Sequence, residues 1–406
     1  MPAGTGVDGR GSKEQVLVAQ EGRAATPEPH QHAATAGQRL VFVDHVRVVL
    51  TILVILQHLA LTYGAIGPWY YQEAVPQESL VQAVLTIFIL INQAFFMGLF
   101  FLISAYFIPR SFDQKGFANF VKGRLIRLGM PLLIYSICLN PLAMLGFRFS
   151  VHDDSWLSSL PFWKFYLASL TPGPLWFVQT LLFLNIFYAV WRKFTRSQET
   201  RGFNDDNSLK YRDVIVFTLV LTATTFVVRI WIPIGVFIPV LDLPSASHFP
   251  QYISLFILGM VAYRRSWFTN TTDSMGRAGF GIAAVTTILL LPLTLSNVST
   301  FGGGVHWQAF AYALWESVFC VGMCVGLLTF FRRRFNHQAA LGRFLSTHAY
   351  TVYIIHAPII VGIAFSMRDI DVAPLFKFAL AALIAIPLCF WSASLIRRLP
   401  LARHIL

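Results

Sequence analysis

Ten apolar runs, each near the ~20 residues that carry an α-helix across a ~30 Å hydrocarbon layer, divide the chain from end to end. They lie near Leu40–Tyr63, Val84–Ile108, Leu128–Phe147, Leu175–Trp191, Val214–Ile232, Tyr252–Tyr263, Gly279–Leu295, Ala309–Phe331, Ala349–Met367 and Leu375–Ile396. The sixth is short, and the stretch before it, Gly235 to Phe249, carries Pro239 and Pro244 and reads as a segment that re-enters or lies along the interface, which leaves the count open by one. A soluble fold of several domains is excluded: 12% of the residues are charged, where a soluble domain carries about 25%. The expected fold is all-α, a polytopic integral membrane bundle of about ten transmembrane helices.

The distribution of charge orients the bundle. The formal net charge of +12 invites a nucleic-acid reading, yet the cations form short clusters between apolar runs and never one stripe, which excludes that partner class. Of the 31 lysines and arginines, all but Arg47, Arg148, Lys164, Arg229, Arg368 and Lys377 fall in the two tails and alternate loops. Lysine and arginine collect on the cytoplasmic side, so both termini are expected there. Residues 1–38, rich in Gly, Ala, Gln and Pro without apolar periodicity, read as a disordered cytoplasmic tail, and no signal-peptide core precedes the first run. Residues 39–398 form the transmembrane domain and 399–406 a short cytoplasmic tail.

Ionisable side chains inside a bilayer are costly, so each is a candidate for function. Arg47 and His58 are eleven positions apart in the first run, which places them about 20° out of alignment and roughly 16 Å apart along a helix. Asp44, three residues before Arg47, can pair with it. Both heads are expected to face one wet cavity, where a neutral imidazole is suited to take a proton from a hydroxyl. The structural alternative is an interior histidine and a snorkelling arginine. Glu316 must be protonated or paired; it and His356 read equally as hydrogen-bonded packing groups. Arg124 and Arg127 share a helix face and can grip phosphate, or simply obey the charge rule. Cys138, Cys320, Cys324 and Cys389 sit in apolar runs without metal-ligand partners, so no metal site is expected. Gly302-Gly303-Gly304 reads as a flexible outer turn, and Trp69-Tyr70-Tyr71 as part of an interfacial aromatic belt.

Several segments together resemble the membrane-bound acyltransferase 3 family, including its glucan-biosynthesis branch. The segment Val43-Asp44-His45-Val46-Arg47, followed by ten residues and then His58, is similar to its first-helix motif; Phe100 to Phe107 resembles the second, with Ala105 where glycine is usual. Arg124-Leu125-Ile126-Arg127, Pro174-Leu175-Trp176-Phe177 and Tyr350 to Pro358 are similar to its later motifs. The resemblance implies transfer of an acetyl- or succinyl-type group from cytoplasmic acyl-CoA, a co-substrate and not a resident cofactor, to a hydroxyl of a glycan or lipid outside a bacterial plasma membrane. It implies catalysis by His58, Arg47 and Asp44, donor binding by Arg124, Arg127 and Trp176, and an acceptor side shaped by Glu316, Tyr353 and His356. A transporter or flippase of a glycan or lipid needs the same buried charges and remains the alternative, with a noncatalytic membrane partner as a third.

Overall fold

The structure, a computed structural model, describes residues 40–73, 75–76, 79–149, 159–195, 208–236, 246–296 and 298–405, with Gly4 and Gly6. The tail expected over 1–38 lies, apart from those two glycines, outside the described residues. Among the described residues there is no strand. The α-helices are α1 (Val41–Thr62), α2 (Leu80–Gln93), α3 (Phe96–Tyr106), α4 (Ile108–Arg124), α5 (Met130–Ile134), α6 (Asn140–Phe149), α7 (Phe162–Ala168), α8 (Trp176–Thr195), α9 (Tyr211–Trp231), α10 (Phe249–Arg264), α11 (Trp267–Asn270), α12 (Asp273–Leu295), α13 (Val298–Phe301), α14 (Trp307–Arg334), α15 (Ala340–Ser366), α16 (Pro374–Ile396) and α17 (Pro400–Ile405).

Nine stretches among the described residues are long and apolar enough to cross a membrane, with α2 and α3, α4 to α6, and α7 and α8 each forming one stretch. The tenth expected crossing is α10, whose 16 residues reach only about 24 Å. The protein is a multi-pass membrane bundle. The cationic segment expected as a loop after the second run is itself helical: α4 carries Arg110, Lys115, Lys122 and Arg124 and bends at Gly116, whose φ is 68°. Arg192 at the end of α8 meets Asp113 of α4 at 3.0 Å, and His45 Nδ1 at the start of α1 donates to the Phe335 carbonyl after α14 at 2.8 Å. These contacts gather the arginine-rich helix ends into one basic end of the bundle. The opposite end is called the far end below.

Packing separates a central group from a peripheral one. In α15, 67% of the most apolar window is buried against protein, in α12 only 17%. The peripheral helices are seated by small residues, the usual means of close approach where lipid supplies no hydrophobic drive. Gly279 of α12 and Gly322 of α14 face each other so closely that a Cβ on Gly322 would stand 2.6 Å from the Gly279 carbonyl oxygen. Gly259 of α10 lies directly against the Leu102 carbonyl of α3, and a Cβ there would be 2.9 Å from the Ala105 methyl. Ala105 therefore takes the place of the usual glycine because its partner helix supplies the missing space. Cys320 and Cys324 are buried as packing residues.

Two prolines shape the third crossing. The helix widens into π-turns at Leu125–Gly129 and Tyr135–Leu139. Pro131 lacks the N–H that would bond the Arg127 carbonyl, and Pro141 the one for Ile137. Tyrosines from elsewhere take both oxygens: Tyr350 donates to Arg127 at 2.9 Å and Tyr166 to Ile137 at 3.1 Å. The first bond fixes the register of α15 against this crossing.

Candidate functional site

His58 stands in the last turn of α1, at the far end. Beyond it the chain reverses through Gly64 and Gly67, whose φ values of 133° and 147° suit glycine alone. The returning strand of loop is tied to the helix by Gln72, which donates to the Leu61 and Gly67 carbonyls at 3.1 and 2.9 Å, and by the Glu73 N–H on Thr62 at 2.9 Å. Lys377 of α16, itself buried, holds Glu73 at 2.8 Å. Around the same loop, burial and the Glu73 charge push the phenols of Tyr63 and Tyr71 above their ordinary range.

This reversal lays Trp69 on His58, ring centroids 3.9 Å apart and planes within 12°. The other face of the imidazole is covered by His356 at 5.1 Å and 19°. With both faces covered, the half-buried His58 is approachable at its edge. Its Nδ1 is buried and has no partner. His356 donates from Nδ1 to the Tyr353 carbonyl at 2.7 Å, because a carbonyl can only accept; in the neutral ring that fixes the lone pair on Nε2, which is also buried and unpartnered.

The floor of the site is built from the turn before α8. Tyr353 donates to the Pro174 carbonyl at 2.6 Å; Tyr70 donates to Asn140, whose amide holds Ser169 O at 2.9 Å and Thr171 Oγ1 at 3.0 Å. Gly173 sits against the Tyr70 hydroxyl with φ of 46°, leaving no room for a side chain. Trp69, Tyr70 and Tyr71 are thus interior groups, with Trp69 6% exposed, and not members of an interfacial belt as the sequence suggested.

At the basic end Asp44 pairs with Arg47 at 3.2 Å, and the guanidinium lies 5.0 Å over Phe107. Arg47 and His58 do share one stripe of α1, but Thr51, Val54 and Ile55 between them are packed shut, so the open path expected along that stripe is absent. α15 touches both sets of candidate residues. Tyr350 reaches Arg127, Tyr353 reaches Pro174 beside Trp176, and His356 meets His58, three contacts spread over roughly 9 Å of helix. Arg124 lies over Phe120 at 4.9 Å and Arg127 is exposed. Arg397, just past α16, joins them: burial and the Arg127 charge hold its guanidinium below the usual range. Trp176 is not among these arginines. It stacks obliquely on Tyr252 at 5.4 Å, about 9 Å farther along α8 than Leu182, which is level with Gly129.

Glu316 belongs to a second buried cluster. Arg229 donates to its Oε2 at 2.5 Å and His248 Nε2 stands 3.1 Å from its Oε1, with the Arg229 guanidinium over the Tyr312 ring. A relay of amides leads from it toward His58: Tyr252, stacked on His248, accepts from Gln93 at 2.8 Å, and Gln57 links Gln93 at 3.4 Å to Asn92 at 2.7 Å. The Gly302–304 turn closes this cluster, with the Gly304 N–H on the Arg229 carbonyl at 3.0 Å, and is a cap on α9 where a flexible turn was expected. His248 and Gln57 are unremarkable in their own segments, whereas Arg229 stands out as a cation inside the run Val214–Ile232; the pairing across helices is what makes all three site residues.

A family profile described as an acyltransferase domain, of the acyltransferase 3 type, matches residues 40–394. Among similar proteins, the glucans biosynthesis protein C of Salmonella paratyphi B is 25% identical over 332 residues, covering 79% of this chain and 82% of its own. That of Escherichia coli O157:H7 is 26% identical over 335 residues with the same coverage. No solved structure matches the chain. The profile spans all but the amino-terminal segment and the last 12 residues, including every candidate residue above except Arg397, and the chain belongs to the acyltransferase 3 family of membrane-embedded acyltransferases.

Proposed function

We propose that the protein moves an acyl group, of acetyl or succinyl type, from acyl-CoA at the basic end to a hydroxyl of an envelope glycan at the far end, with the basic end cytoplasmic in a bacterial plasma membrane. The glycan assignment draws on the relatives named for glucan biosynthesis. The observation that carries the reading is the unpartnered imidazole of His58, held between Trp69 and His356 with only its edge open.

In this reading Arg124 and Arg127 bind the phosphates of the donor by charge-assisted hydrogen bonds, and Arg47, steadied by Asp44, stands beside the entrance. In this reading the extended pantetheine arm carries the thioester from the basic end to His58 by a route other than the filled stripe of α1. His58 takes the proton of the acceptor hydroxyl as its oxygen attacks the thioester carbon; the C–S bond then breaks and the imidazolium returns the proton to the departing thiolate. Tyr353 and His356 position His58, while the Glu316 cluster supports the acceptor side through Tyr252.

The test is His58→Ala, read by mass spectrometry of envelope glycans and lipids from cells carrying either form. Loss of the acyl mass increment at unchanged protein abundance is expected; a retained increment removes His58 from catalysis.

A further inference from the structure

The indole of Trp69 presents a second chemical group at the same place. Its Nε1–H is a donor and nothing else, it is buried, and it has no acceptor. The contrast with Trp315 is instructive: that ring is also fully buried, and its Nε1–H is satisfied by Thr287 Oγ1 at 3.0 Å. A buried tryptophan N–H ordinarily finds a partner, and leaving one unmade costs about 1–3 kcal/mol. Trp69 is not left so by looseness. Glycine reversals, the Gln72 bonds, the Tyr70–Asn140 bond and the Glu73–Lys377 pair all fix its loop. A rigid, unsatisfied donor therefore lies against the face of the imidazole that we assign as the base.

Acyl transfer requires such a donor. When the acceptor oxygen bonds to the thioester carbon, the carbonyl π pair moves onto its oxygen, and that oxyanion needs an N–H or O–H already aimed at it. Of the groups stacked on His58, His356 offers a lone pair at Nε2 in its neutral form, because Nδ1–H is spent on Tyr353. Trp69 offers only a hydrogen. Resting on the acyl-transfer reading above, we propose that Trp69 is a catalytic residue whose Nε1–H holds the oxyanion of the tetrahedral intermediate. The negative charge forms beside the indole while the proton sits on His58, and both are discharged when the C–S bond breaks and the thiolate takes that proton.

Trp69→Phe tests this by keeping an aromatic face on His58 while removing the donor; replacement of Trp69 by β-(3-benzothienyl)alanine, which exchanges N–H for sulfur in the same ring shape, covers the case in which phenylalanine fails to fold. Membrane vesicles from expressing cells are given radiolabelled acetyl-CoA or succinyl-CoA, and initial label incorporation into the glycan fraction is followed beside wild type and His58→Ala. The expected result is a fall in the maximal rate of about 100- to 1000-fold with little change in the donor concentration at half-saturation. Near-wild-type rates for both replacements, with His58→Ala inactive, overturn the Trp69 assignment and leave the base in place. An active His58→Ala overturns the base itself, whatever Trp69 does.

Discussion

At the scale of single residues, what matters is which polar atoms are satisfied. Arg47 is bonded to Asp44 and lies over Phe107, and in the proposed reading it stands beside the donor entrance. Arg124 lies over Phe120, and the Arg127 carbonyl accepts from Tyr350 while its side chain is exposed. Replacing both by glutamine is expected to raise the acyl-CoA concentration for half-maximal transfer roughly tenfold or more, as loss of two charge-assisted contacts implies. Donor titration of vesicles checks this, and unchanged half-saturation removes the pair from the donor site. The His58 and Arg47 alignment was readable from spacing alone, since α1 is a regular helix. Trp69 was not, because a run of aromatics near a helix end carries the same letters whether it lies in headgroups or folds back over a histidine; the difference is made by two glycines and a lysine 308 positions away.

Among elements, the apolar runs predicted the crossings well because length and hydropathy alone set them. The pairing of elements was invisible, since a cation in one run does not announce which anion in another it meets. The Arg229–Glu316 pair between α9 and α14 is the clearest case, with the two side chains 0% and 3% exposed. Removing one partner leaves an uncompensated buried charge. Glu316→Ala or Arg229→Ala alone is expected to destabilise by about 3–5 kcal/mol, whereas the double replacement Arg229→Met with Glu316→Leu recovers much of that loss. Thermal unfolding of the purified protein in detergent measures both. Equal midpoints for the single and double variants count against the pair as a structural unit.

For the whole molecule, the orientation argued from charge clusters has a direct check. The turn before α15 contains His337 at the basic end, and the turn before α16 contains Asp371 at the far end, both exposed. In intact cells a membrane-impermeant maleimide is expected to label Asp371→Cys and to spare His337→Cys until the membrane is opened. The reverse pattern would invert the assignment of donor and acceptor sides.

The clasp between Glu73 and Lys377 joins positions 304 residues apart, and His356 reaches His58 from nearly as far along the chain. His58 leaves the ribosome with the first crossing, whereas its stacking neighbour His356 and the lysine that pins the loop above it arrive with α15 and α16. A nascent chain halted before that final hairpin inserts carries His58 without the His356 ring on its face and Glu73 without its lysine.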